Sequence, residues 1–140
     1  MKRLTVLILA VAAGALMLAM AVAQATEAPA EDVLITVPDG AELKMNRVNV
    51  PHAVHAAADI ECMDCHHMWD ESDGTPQACA GSGCHDLGNP ATTEEKQSMA
   101  YFRNAFHAPV AGSCNGCHKE RKDAGESHGP TSCNDCHTVE

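Results

Sequence analysis

The sequence predicts a small fold, mainly α with much irregular loop, and a small two-stranded β-sheet near its N-terminus. Three observations carry that expectation. Of the 140 residues, the 115 that follow Ala25 suffice for one small domain. The whole chain has one tryptophan, one tyrosine and two phenylalanines, too few for a strong aromatic core. The third is a fourfold pattern of paired cysteines, each pair closed by a histidine, which uses all eight cysteines. A chain built this way must wrap around something other than its own side chains.

In order, the four copies are Cys62-Met-Asp-Cys65-His66, Cys79-Ala-Gly-Ser-Gly-Cys84-His85, Cys114-Asn-Gly-Cys117-His118 and Cys133-Asn-Asp-Cys136-His137. Three have the C-x-x-C-H form of covalent c-type haem attachment, and the second has two more residues between its cysteines. The chemistry explains the order: two thiols add to the vinyl groups on one porphyrin edge, and the next histidine swings beneath the iron. Gly81 and Gly83 lend the longer loop the freedom to bring Cys79 and Cys84 to one edge. Structural zinc also uses C-x-x-C pairs, and eight cysteines could form four disulfides. Zinc leaves the histidine after every second cysteine unexplained, and disulfides leave all the histidines unexplained. Four haem c groups, each with its iron, are therefore expected.

The elements follow in chain order. Lys2 and Arg3, the apolar run Leu4 to Ala23 and the Ala23-Gln24-Ala25 site read as a secretory signal peptide cleaved after Ala25. The run is long enough to span a bilayer, so a retained anchor is the alternative. Its seven alanines and Gly14 keep its hydrophobicity modest, which favours cleavage. The boundaries are then 1–25 for the leader, 26–32 for a flexible mature N-terminus and 33–140 for the folded domain. Export suits the cofactor, because bacterial c-type haem is attached outside the cytoplasmic membrane; the expected location is the periplasm. Val33–Val37, a Pro38-Asp-Gly40 turn and Ala41–Met45 read as two short strands. Pro51 suits the first position of a helical turn carrying His52 and His55. Thr92 with Glu95 resembles a capping box that starts a helix running to His107, with Met99, Phe102 and Phe106 on one stripe and Pro109 ending it.

Nine histidines serve four irons. His66, His85, His118 and His137 close the motifs, leaving His52, His55, His67, His107 and His128, one more than bis-histidine ligation needs. Methionine is the competing ligand, but after the leader only Met45, Met63, Met68 and Met99 remain, and Met63 and Met68 are not placed as ligands. His52 and His55 share a helical face and could address two neighbouring haems. The adjacent His66 and His67 point in different directions, so one can serve its own haem and the other a second. His107 falls near the Met/Phe stripe. His128 lies in the turn-rich Gly125-Glu-Ser-His-Gly-Pro130 and reads as a solvated loop histidine.

The order His-x-x-His, C-x-x-C-H-H, C-x4-C-H, a lone histidine and two further motifs resembles the tetrahaem cytochrome c3 family, the class III c-type cytochromes of sulfate respiration. The resemblance spans about residues 33 to 140, making that stretch a tetrahaem cytochrome domain of cytochrome c3-like fold. It implies four ligand sets. The first haem takes Cys62, Cys65, His66 and His52; the second Cys79, Cys84, His85 and His67. The third takes Cys114, Cys117, His118 and His55, and the fourth Cys133, Cys136, His137 and His107. Two departures stand out. The fourth motif is short where the best-known basic members carry C-x4-C-H, and Val50 stands where an aromatic commonly precedes the first distal histidine. The first of these points away from the basic branch and toward the acidic, type II branch.

All 19 acidic residues lie after Ala25 and seven lysines and arginines remain there, so the mature charge is −12 with neutral histidines. Such a surface argues against nucleic acid and anionic lipid and for a cationic partner. Lys119, Arg121 and Lys122 form the main positive cluster, whereas the tail around the fourth motif carries Asp135 and Glu140. With every iron saturated by two histidines there is no open position for substrate, and the expected function is low-potential electron transfer rather than catalysis. The resemblance implies a basic cytochrome c3, periplasmic hydrogenase or formate dehydrogenase on one side and a membrane-bound redox complex on the other. The alternative is a small multihaem reductase of metal ions or oxyanions, which needs at least one five-coordinate iron.

Overall fold

A computed structural model of the chain describes residues 27–70 and 74–138. The expected leader, 1–25, lies outside the described residues. Residues 27–32 are irregular and mostly exposed. Strand β1, Val33–Leu34, pairs antiparallel with β2, Asn49–Val50, in the register Val33 with Val50 and Leu34 with Asn49. Ile35 N donates to Val48 O at 2.9 Å, and the Arg47 guanidinium donates to Ile35 O at 2.9 Å.

The sheet is thus found, but its second strand is not Ala41–Met45. The Pro38–Gly40 turn forms, with Ala41 N on Pro38 O at 3.2 Å and Gly40 at φ +77°. The chain beyond it is engaged elsewhere. Gly88 packs so closely on this turn that a Cβ there would sit 2.7 Å from both Asp39 O and Ala41 N. Asn46 O accepts from His137 Nδ1 at 2.6 Å. Only after these contacts is the backbone free to return to β1.

Helix α1, His52–Ala57, follows, with Pro51 just outside it rather than at its first position. The Pro51 carbonyl accepts from Val54 N and His55 N at 3.1 and 3.3 Å. Helices α2 (Cys62–Cys65), α5 (Cys114–Asp123) and α6 (Cys133–Cys136) each begin at the first cysteine of a C-x-x-C-H motif. The reason is local. A cysteine pair three apart on a helical turn shares one face, and a side-chain hydrogen bond ties the start of each turn. Asp64 accepts from Glu61 N at 2.9 Å, Ser113 Oγ from Gly116 N at 2.9 Å, and Ser132 Oγ donates to Asp135 at 2.6 Å. The longer second motif is not helical. Gly81 and Gly83 lie at φ +89° and +84°, and the Asp86 carboxylate accepts from both of their N–H groups.

The helix expected over 92–107 is two helices: α3, Thr93–Gln97, and α4, Phe102–His107. Its capping box forms: Thr92 Oγ1 accepts from Glu95 N at 3.1 Å and Glu95 accepts from Thr92 N and Ala91 N at 2.8 and 2.7 Å. Those N–H groups hold the Glu95 carboxyl below its ordinary pKa. The break comes from a long-range pairing. Leu87 N donates to Ala100 O at 3.0 Å and Phe102 N to Leu87 O at 3.1 Å, a parallel bridge no continuous helix could make. Asn104 Nδ2 then satisfies the freed carbonyls of Lys96 and Ser98, each at 2.9 Å. Met99 falls in the break, while Phe102 and Phe106 remain one turn apart with ring centroids 5.1 Å apart.

Helix α4 packs on α5, fastened by Ser113 Oγ on Ala108 O at 2.5 Å. Gly116 makes the approach possible, since a Cβ there would lie 1.9 Å from Val110 O. Among the described residues, Pro38, Ala80, Ser113 and Gly116 are buried, all of them small. So small a side-chain core cannot offset a backbone ordering cost of about 1–2 kcal/mol per residue. The cofactors must supply the missing core, as metals do for small metal domains. Replacing all eight cysteines by serine, which prevents attachment, should therefore abolish the cooperative thermal transition in calorimetry. A sharp transition in that variant would contradict a haem-dependent core.

Candidate haem centres

Eight of the nine histidines meet in pairs. His52 faces His66 with ring centroids 6.4 Å apart and planes at 10°. His55 faces His118 at 6.2 Å and 18°. His107 faces His137 at 6.0 Å and 6°. His67 meets His85 at 6.0 Å, but its plane is tilted by 51°. These are the same four pairs that the sequence resemblance implies, one for each iron. His128 is exposed in its loop, with Nδ1 at 2.7 Å from Gly129 O.

The spacing has a physical meaning. Rings in direct contact would lie closer than this. A metal–imidazole bond of about 2.0 Å on each side, plus about 1.1 Å from each ligating nitrogen to its ring centre, separates coaxial rings by about 6.2 Å. The observed separations of 6.0–6.4 Å match a single ion held between two imidazoles.

Backbone carbonyls orient these rings. His66 Nδ1 lies 3.0 Å from Gln77 O, His85 Nδ1 2.6 Å from Met99 O, and His118 Nδ1 2.8 Å from Pro130 O. His137 Nδ1 uses Asn46 O at 2.6 Å. On the facing side, His55 Nδ1 uses Pro51 O at 3.0 Å and His107 Nδ1 uses Arg103 O at 2.9 Å, each carbonyl four residues back. A carbonyl only accepts, so Nδ1 must carry the proton, and the Nε2 lone pair is left for a metal. The same device fixes tautomer and orientation in metal-binding histidines generally. His52 differs. The carbonyl four residues before it, Val48 O, is taken by Ile35 N in the sheet, and His52 Nδ1 is buried without a protein acceptor.

All eight cysteines are free of disulfides, and no three His, Cys, Asp or Glu side chains among the described residues converge as a metal site. Burial, then the charge of Cys79, pushes the Cys65 thiol up. Cys114 reaches solvent on one side, yet desolvation, with Cys65 and Cys79 next, pushes its thiol up to about 11.

The donor set therefore fits four haems, with two sulfurs and two imidazoles for each. The residues that seat the proximal rings were not legible as site residues. Gln77, Met99, Pro130 and Asn46 contribute only backbone oxygens, which no side-chain pattern reveals.

Alanine at His52, His55, His67 or His107 should each convert one of four low-spin ferric signals to a high-spin or substitute-ligand signal in paramagnetic resonance. Alanine at His128 should leave all four low-spin. The signal lost in His67→Ala should also stand apart from the others in the parent protein. Its ligand planes are tilted by 51°, whereas the others lie within 18°. Four indistinguishable signals would show that this tilt does not persist around the iron.

Comparison with known proteins agrees with this geometry. The family model of the class III cytochrome c family matches residues 29–137. A 26 kDa cytochrome c3 from Desulfomicrobium norvegicum is 35% identical over 101 residues, 71% of this chain and 84% of that protein. The crystal structure of the di-tetraheme cytochrome c3 from Desulfovibrio gigas superposes with a TM-score of 0.61 at 32% identity, covering 77% of this chain and 95% of that one. The chain belongs to the class III cytochrome c family: it is a tetrahaem protein of the cytochrome c3 family, an electron-transfer protein whose eight cysteines carry four c-type haems.

Proposed function

We propose that this protein is a periplasmic, low-potential electron carrier whose four irons are all bis-histidine ligated, and that it performs no catalysis of its own. The observation that carries the proposal is the pairing of His52, His55, His67 and His107 with His66, His118, His85 and His137. Two rings per iron leave no coordination position for a substrate. Each haem supplies one-electron iron chemistry, and the residues of the chain set what surrounds it.

They also set which centres are neighbours. His66 and His67 are consecutive, so one peptide bond joins the first site to the second. His52 and His55 stand on the same turn of α1, which joins the first site to the third. The α4–α5 contact, with Asn115 Nδ2 on His107 O at 3.4 Å, brings the fourth site beside the third. Closely coupled centres titrate as a set rather than as independent sites. The carbonyls on Nδ1 raise imidazole basicity, which favours ferric iron and low potential.

The charge selects the partner. A mature charge of −12, expected after cleavage at Ala25, fits a cationic donor such as a basic cytochrome c3 and the acidic, type II branch of the family. Electrons would reach it from hydrogenase or formate dehydrogenase through that cytochrome and leave to a membrane-bound redox complex. Reduction by a basic tetrahaem cytochrome in stopped flow should slow at least about tenfold between low and high ionic strength. Reduction by hydrogenase should depend on catalytic amounts of that cytochrome. Fast, salt-independent reduction by hydrogenase alone would count against the acidic-branch assignment.

A second copy is also part of this proposal. The Desulfovibrio gigas protein is di-tetraheme, and 95% of its chain is matched by this chain, which carries four motifs. Two chains are then needed to reach the same haem count. With all eight cysteines taken up by haem, no thiol is left for a cross-link, so the dimer would be non-covalent. Light scattering should give twice the mass of one haem-loaded chain, and denaturing electrophoresis without reductant should give the single chain. A monomer in light scattering at micromolar concentration would refute the dimer.

A further inference from the structure

The cluster Lys119, Arg121 and Lys122 stands out in an acidic chain, and the carrier function leaves it unexplained. The structure gives two of these residues a task. Helix α5 ends at Asp123, and Gly125, at φ +75°, turns the chain back along it. Gly125 N bonds Lys122 O at 3.0 Å and Glu126 N bonds Arg121 O at 2.9 Å. The Arg121 side chain then clasps the returning strand: its Nε donates to Ser127 O at 2.8 Å and lies 3.7 Å from a Glu126 carboxylate oxygen. Lys122 Nζ reaches Thr131 Oγ1 at 3.4 Å. Between these fastenings lie Gly129 and Pro130. A Cβ on Gly129 would sit 2.4 Å from His118 Cε1, 2.6 Å from Nε2 and 2.8 Å from Nδ1, and Pro130 O accepts from His118 Nδ1 at 2.8 Å.

We infer that the 125–131 return loop, clasped to α5 by Arg121, is the seat of His118, with Gly129 and Arg121 as positioning residues for the third haem. The loop presses a bare backbone against the imidazole and offers it one carbonyl. Glycine is required because any side chain would occupy the volume of the ring. Lys119 lies apart from this clasp, beside Val110 and Ala111 at a cavity along α5. The inference rests on the reading of His118 as an axial ligand.

Two forces act in opposite directions, which makes the test decisive. Removing a positive charge near an iron lowers its potential. Weakening the Nδ1–H bond to Pro130 makes the imidazole a poorer donor and raises it. The holoprotein is prepared as Gly129→Ala, Arg121→Gln, Lys119→Gln and Gly112→Ala. Nothing lies within 4 Å of a Cβ on Gly112, so that variant controls for glycine replacement. Paramagnetic resonance of the oxidised protein and redox titration resolved by haem-methyl NMR are then compared. Gly129→Ala should shift or lose the low-spin signal of the haem on Cys114 and Cys117 and raise its potential, leaving the low-spin signals of the other three in place. Arg121→Gln should move the same signal in the same direction, less far. Lys119→Gln should leave the signal in place and only lower the potential, and Gly112→Ala should change nothing. If Gly129→Ala fails to retain haem, Arg121→Gln decides alone. Wild-type signals in Gly129→Ala, or matching responses of Arg121→Gln and Lys119→Gln, would overturn the seat. A His118→Ala protein that keeps all four low-spin signals would instead overturn the ligation reading on which it stands.

Discussion

The fold depends on holding imidazole rings in pairs about 6 Å apart, with Nδ1 of most rings tied to a backbone carbonyl. The four carbonyls given to His66, His85, His118 and His137 are withheld from any helix or ladder. Asn46, Gln77, Met99 and Pro130 all lie outside regular elements, because a carbonyl inside a continuous helix would already have an N–H partner. The abundance of irregular chain is therefore a condition of the site. The two-residue strands and helices of four to ten residues are what remains between carbonyls that must face a histidine.

Glycine enters where backbone must come against backbone or ring. Gly88 meets the Pro38–Gly40 turn, Gly116 meets Val110, and Gly129 meets His118. The first of these contacts joins segments nearly fifty residues apart, the other two fold the chain back on itself within about a dozen. A side chain at these points would push apart a helix pair or a ring and its carbonyl. This dense approach coexists with a very small side-chain core. Burial of large apolar macrocycles stands in for the leucine and valine packing of an ordinary domain.

The same organisation separates the two tasks of an electron carrier. The interior of the chain sets the pairing of the histidine rings: near-parallel planes in three pairs, a tilted pair at His67 and His85. The surface carries the excess of carboxylates, a charge that steers encounters. Arg121 and Lys122 show that even part of the scarce positive charge faces inward in its effect, fastening a loop over α5.

By itself the sequence determined the cofactor, its number and the cysteines that attach it. Covalent attachment needs two thiols and a histidine within a few residues, and chemistry that local is written in the chain, as is the helical turn that C-x-x-C spacing favours. The distal histidines were legible as a set by counting them against the irons, but their partners came through a family resemblance. Only the tertiary structure decided how the chain runs between these points. The second strand moved from Ala41–Met45 to Asn49–Val50 because Asn46 turns its carbonyl to His137, 91 residues away. The helix ending at His107 broke at Ser98–Tyr101 because Leu87 pairs with that stretch. Backbone carbonyls carry no side-chain signature, so their assignment to particular rings emerges only when distant segments meet.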